Sequence, residues 1–155
     1  IHILRPYTSW ITFFPLIKLA YSSYVKNVNP QAVKRIGLRY INNFTIPEKN
    51  FDLENFFNLR PSLSDQLNKI ELNSFFMGTV FSFEEGKDAA KIQLAVVDGA
   101  QEDKTPFVFD IDYFLSQEED VNKEGVIEWV DKAHANIEDI FENSLSSKTK
   151  AFFDK

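Results

Sequence analysis

The sequence predicts an α+β fold, an antiparallel β-sheet with helices packed on one face and a long C-terminal helix. Three observations carry this. Residues 32–46 alternate apolar and polar side chains over the length of a long strand. Between Leu72 and Leu115, three strand-like runs are joined by short turn signals, which makes an antiparallel meander. Residues 123–143 repeat apolar side chains at the three- and four-residue spacing of an amphipathic helix.

Ile1 to Leu4 reads as the end of a strand that Pro6 stops. Thr8 or Ser9 is placed to cap a helix by accepting a backbone N–H of its first turn. Trp10, Phe13, Phe14, Ile17, Tyr21, Tyr24 and Val28 form one apolar face of that helix. Pro15 has no N–H and clashes with the preceding turn, so a kink or a late helix start is expected. Asn29-Pro30 ends the helix. In the strand that follows, Ile36, Leu38, Tyr40, Phe44 and Ile46 share one face. Arg35, Gly37, Arg39, Ile41 and Asn43 share the other, and Pro47 closes the strand.

Phe51 to Leu59 reads as a short helix capped by Asp52 and closed by Pro61. Leu72 to Phe83, rich in Phe and β-branched residues, suits a strand. It is apolar on parts of both faces and is expected to be central. Glu85-Gly86 and Asp98-Gly99 are turn signals. Between them Ala90, Ile92, Leu94 and Val96 alternate with Lys91 and Gln93 as a half-exposed strand. Phe107, Phe109, Ile111, Tyr113 and Leu115 then make the inner face of a further strand, with Val108, Asp110, Asp112 and Phe114 outside. After the acidic loop Glu118 to Asp120, the long helix buries Val126, Val130, Ala133, Ile137, Ile140 and Phe141. Ser146 or Ser147 caps a last short helix carrying Phe152 and Phe153.

A chain of 155 residues is long enough to bury one self-sufficient core, so a single domain is expected over residues 1–155. The chain opens at Ile1, already inside strand-like sequence, and is expected to be the C-terminal part of a longer one.

The strand Arg35-Ile36-Gly37-Leu38-Arg39-Tyr40-Ile41-Asn42 resembles the hallmark Arg-x-Gly-Leu-Arg-Tyr-Ile/Val-Asn of a sporadically distributed bacterial family of uncharacterised proteins. Other segments are similar to that family in order: Tyr7 to Trp10, Ile46-Pro47, Asp52-Leu53-Glu54, Phe109-Asp110-Ile111-Asp112, Ala133-His134, Phe141-Glu142 and Ser144-Leu145-Ser146. The resemblance runs over nearly all of the chain. It implies further strands N-terminal to Ile1 and brings no established activity, cofactor or catalytic residue.

Composition narrows the function classes. A net charge of −6 repels phosphate backbones and acidic bilayers, so neither nucleic acid nor membrane is an expected partner. The longest apolar segment, Trp10 to Tyr21, is broken by Thr12, Pro15 and Lys18, too short and mixed to span a bilayer. With no cysteine there is no disulfide framework, thiolate nucleophile or Cys-based metal site, which fits a cytoplasmic protein. The Asn43-Phe44-Thr45 sequon stands without any other mark of secretion. Five glycines and no Gly-rich loop disfavour nucleotide-cradling architectures. No cofactor and no metal are expected.

Arg35, Gly37 and Arg39 are the candidate ligand-binding residues. At about 3.3 Å per residue the two arginines stand about 13 Å apart on one strand face. Gly37 leaves bare backbone between them. Two guanidiniums so placed can grip a carboxylate, a phosphate or an acidic partner segment. The competing expectation is an internal ion pair with Asp110 or Asp112. Those two aspartates offer hard oxygen ligands, but two residues on one strand are too few to define a metal site. His134 lies at the edge of the buried helical stripe, beside no assignable nucleophile, and is expected to be a core-edge histidine. No catalytic residue can be named.

Sixteen Phe against one Met suggest more aromatic surface than a small domain can hide. The leading expectation is therefore a non-enzymatic binding or assembly protein, a homo-oligomer or one with a protein partner. The alternatives are a binder of, or enzyme for, a small anionic ligand using Arg35 and Arg39, and a chaperone-like protein that binds apolar segments in a groove.

Overall fold

The computed structural model describes residues 1–4, 9–48, 52–67, 70, 74–97, 104–117 and 121–152. The turn expected at Asp98-Gly99, the loop Glu118 to Asp120, and Pro6, Tyr7, Thr8, Phe51, Leu72 and Phe153 lie outside the described residues. Four strands, β1 (Gly37–Ile46), β2 (Phe76–Phe83), β3 (Asp88–Val96) and β4 (Thr105–Leu115), form one sheet in the order β1-β4-β3-β2. Every neighbouring pair is antiparallel. The helices are α1 (Trp10–Val28), α2 (Leu53–Phe56), α3 (Val126–Ser144) and α4 (Ser147–Lys150).

The α+β architecture, the meander β2-β3-β4 and the long C-terminal helix follow from the sequence pattern. The position of β2 does not. Expected to be central, it is an edge strand, because β1 inserts beside β4 and leaves the first strand of the meander with β3 as its neighbour. Its second apolar face is therefore open, and Phe76 and Val80 on it are exposed. β1 starts at Gly37 instead of Ala32. Its partner β4 ends at Leu115, whose N–H bonds Ile36 O, and the next N–H, of Ser116, turns away to Lys87 O. Ile1 to Leu4 belongs to no strand of the described residues.

Local caps set most helix ends. Ser9 Oγ accepts from Thr12 N, so α1 starts before Pro15 and not after it. Asn29 closes α1 in the left-handed region at φ 47°, its N–H bonded to Val25 O. Asp52 caps α2 through Glu54 N. That helix is only four residues long because Phe57 leaves it to bridge Leu145, and the N–H groups of Asn58 and Leu59 bond Ser144 O. Ser146 caps α4 through Thr149 N.

The core lies between the sheet and α3. Phe107, Phe109, Ile111 and Tyr113 of β4 and Ile92 and Leu94 of β3 are buried against Trp129, Val130, Ala133 and Ile137. α1 rides on α3 through Trp10, which stacks on His134 at 4.1 Å. The α2 and α4 segments close one end of the same face, where Phe57 meets Phe44 and Phe107 and Phe152 stacks on Phe56. Among the described residues no helix is long and apolar enough to cross a membrane.

Candidate functional site

The face of the sheet away from the helices is the largest feature that the core does not explain. β-strand alternation puts Gly37, Arg39, Ile41 and Asn43 of β1 on it, with Val108, Asp110, Asp112 and Phe114 of β4. β3 adds Ala89, Lys91, Gln93 and Ala95, and β2 adds Phe76, Gly78, Val80 and Ser82. The pairing registers align these side chains in rows across the sheet. One row runs Arg39, Asp112, Lys91, Val80 and the next Ile41, Asp110, Gln93, Gly78. Among the described residues none of the four helices lies over this face, and Ile41, Phe76 and Val80 stand 55, 68 and 61% exposed.

Arg39 is held here by an ion pair. Its Nε and Nη2 donate to Asp110 Oδ1 and Oδ2 at 2.8 and 2.5 Å, a bidentate pair that reaches diagonally from the position opposite Asp112. The hydrogen bond and charge of Asp110 raise the Arg39 pKa, and Asp112 adds to it. Arg39 is thus one of the internal ion pairs that the sequence allowed. Its side chain stays 53% exposed. Arg35 precedes β1, is exposed, and makes no ion pair among the described residues. A Cβ on Gly37 would meet Tyr113 O at 3.4 Å and Asp112 Oδ1 at 3.7 Å, so the bare backbone between the arginines is also close packing against β4. Arg35, Gly37 and Arg39 therefore form a line along one sheet edge and not a convergent pocket. Asp112 and Lys91 stand directly opposite each other, yet neither joins an ion pair among the described residues.

A second polar cluster lies on the inner side. Asp88 is 2% exposed. Its Oδ1 accepts from Trp129 Nε1 at 2.9 Å and its Oδ2 from Tyr113 OH at 3.1 Å. Asn136 Nδ2 donates to the same phenol oxygen at 2.9 Å, and Lys132 Nζ lies 3.6 Å from Asp88 Oδ2 while pairing with Glu84. Burial first, and the Asp88 charge second, push the Tyr113 pKa upward, so the phenol is a proton donor and no base. A cleft of about 280 Å³ beside the cluster is lined by Val121, Asn122, Glu128, Trp129 and Lys132. The sequence carried one signal for this cluster: Asp88 is in phase with the inward Ala90, Ile92 and Leu94.

His134 lies between the rings of Trp10 and Tyr40, and its Nδ1 is 3.2 Å from Tyr40 OH. Burial lowers its pKa, against the charges of Glu138 and Asp131. This is the core-edge histidine of the sequence reading. No group of three or more metal-ligating side chains exists among the described residues. Near the β2 edge, a groove of about 430 Å³ runs between Leu59, Phe81, Phe83, Ile92 and Ile140.

No family model matches the chain, and no curated protein or solved structure matches it either.

Proposed function

We propose that this chain is a non-enzymatic binding or assembly protein that works through the outer face of its sheet. The observation that carries this is the exposure of Ile41, Phe76 and Val80 around a charged centre on a face no described helix covers. Exposed apolar side chains on both edges of a charged centre suit a protein contact surface. The inner polar groups, by contrast, bond one another, as a buried network does when it holds a fold together. A sequence without cysteine fits a reducing compartment such as the cytoplasm. Native mass spectrometry of the full-length protein is the test. An assembly that Val80→Arg dissociates while leaving the circular dichroism spectrum intact supports the reading. A strict monomer at high concentration without a protein partner, or an assembly indifferent to Val80→Arg, sinks it.

The groove at Phe81 favours a second reading, the binding of an extended apolar segment. It requires that Phe81→Ser abolish binding of an apolar peptide. The anionic-ligand reading is weakened because Asp110 already occupies two donors of Arg39.

A further inference from the structure

We infer that the occupant of the outer face is a second copy of this chain, related by a two-fold axis that runs along the strands between β3 and β4. The inference rests on the reading above, that this face is a contact surface.

Rotation about such an axis keeps each residue at its height along the strands and exchanges β4 with β3 and β1 with β2. Each row of the sheet then meets its own reversal. In the charged row, Asp112 faces Lys91 of the second copy and Lys91 faces Asp112, so two ion pairs form from four charges. Neither of these two residues makes an ion pair of its own among the described residues. In the next row Ile41 meets Gly78 of the second copy, where the Phe76 ring stands 3.7 Å from the place a Cβ would take, so apolar surface meets apolar surface. In the row before, Phe114 meets Ala89. Charge and shape are therefore both self-complementary under one operation, which is the requirement of an isologous contact.

The alternative axis, across the strands, sets β4 on β4 and brings Asp112 against Asp110 of the second copy. Like charges brought together in this way disfavour the contact. Sheets packed face to face lie about 10 Å apart with strands within about 30° of each other, a gap that a Lys stem opposite an Asp carboxylate spans. Four strands at about 4.8 Å spacing and nine residues at about 3.3 Å offer roughly 570 Å² of flat sheet per copy. Two such faces, about 1,100 Å² together, pass the ~1,000 Å² threshold of a biological interface.

A charge-swap experiment on the full-length protein tests the arrangement. Lys91→Asp sets carboxylate against Asp112 of the second copy, and Asp112→Lys sets cation against Lys91. Each variant alone is expected to dimerise at least tenfold more weakly than the wild type, by sedimentation velocity. Mixed in equal amounts, the two variants restore both ion pairs, and native mass spectrometry should find the 1:1 heterodimer above either homodimer. Gly78→Leu is the control that does not touch charge. A Cβ there meets only the Phe76 ring, at 3.7 Å, so the fold should persist while the added bulk beneath Ile41 of the second copy parts the two faces and the dimer is lost. If Val80→Arg, which sets a cation against Arg39 of the second copy, dissociates the dimer but the mixture stays monomeric, the face is the contact surface and the two-fold arrangement is wrong. If the single swaps leave the dimer intact, the arrangement is also wrong. A wild-type monomer overturns it together with the reading it rests on.

Discussion

The indole N–H of Trp129 donates to the Asp88 carboxylate across 2.9 Å, in the interior between β3 and α3, with Tyr113 OH on the second oxygen. One carboxylate thereby satisfies two buried donors from two different elements. Asp88→Ala leaves both without an acceptor. Each orphaned donor costs about 1–3 kcal/mol, so the variant should lose roughly 3–5 kcal/mol of stability. Urea unfolding checks this, and a loss below about 1 kcal/mol would show that water replaces the carboxylate.

Stability should fall below neutral pH through His134. Burial holds its pKa below the ordinary 6.5. The groups that face it are Trp10, Tyr40, Asp131 and Glu138, and the two carboxylates only oppose the shift. Between the folded and unfolded pKa values the unfolded chain binds more protons, so stability rises with pH. The His134 contribution is complete above 6.5 and is lost as pH falls to the folded value. Denaturation of wild type and His134→Phe at a series of pH values should show a shallower acid slope in the variant. Equal slopes would remove His134 as the cause.

Glu85 sits at φ 57° between Glu84 at φ 48° and Gly86 at φ 91°. Side chains are strained in this left-handed region, whereas glycine is not. Glu85→Gly should therefore raise stability by up to ~1 kcal/mol, offset in part by the extra freedom of the unfolded chain. A thermal melt reads this directly, and a lower Tm would mean that Glu85 contributes a contact outweighing its strain. Glu84 is the poorer choice, because it pairs with Lys132.

Arg39→Ala should cost about 1–2 kcal/mol, since it strips the cation from a carboxylate that is largely covered while the arginine itself is half in water. Asp110→Asn should cost less, and the double variant less than the sum of the two. A double-mutant cycle in urea measures the coupling. Strict additivity would show that the bidentate geometry contributes nothing to the fold.

The sequence by itself determined which residues face inward. Alternation in β1, β3 and β4 and the spacing in α3 are local properties of backbone geometry, and they sorted Arg39, Lys91, Asp110 and Asp112 from the core. The cap Asp52 was legible for the same reason, and the structure chose Ser9 over Thr8 and Ser146 over Ser147, each cap acting within three residues of itself. Only the tertiary structure decided which strands are neighbours. Alternation carries no information about which strand lies alongside, so β2 looked central until β1 took the place beside β4. Register is likewise invisible along one strand. The pairing of Arg39 with Asp110 and not Asp112, the placement of Lys91 opposite Asp112, and the meeting of Trp129 and Tyr113 on Asp88 all join residues far apart in sequence. Their contact depends on the path of the whole chain.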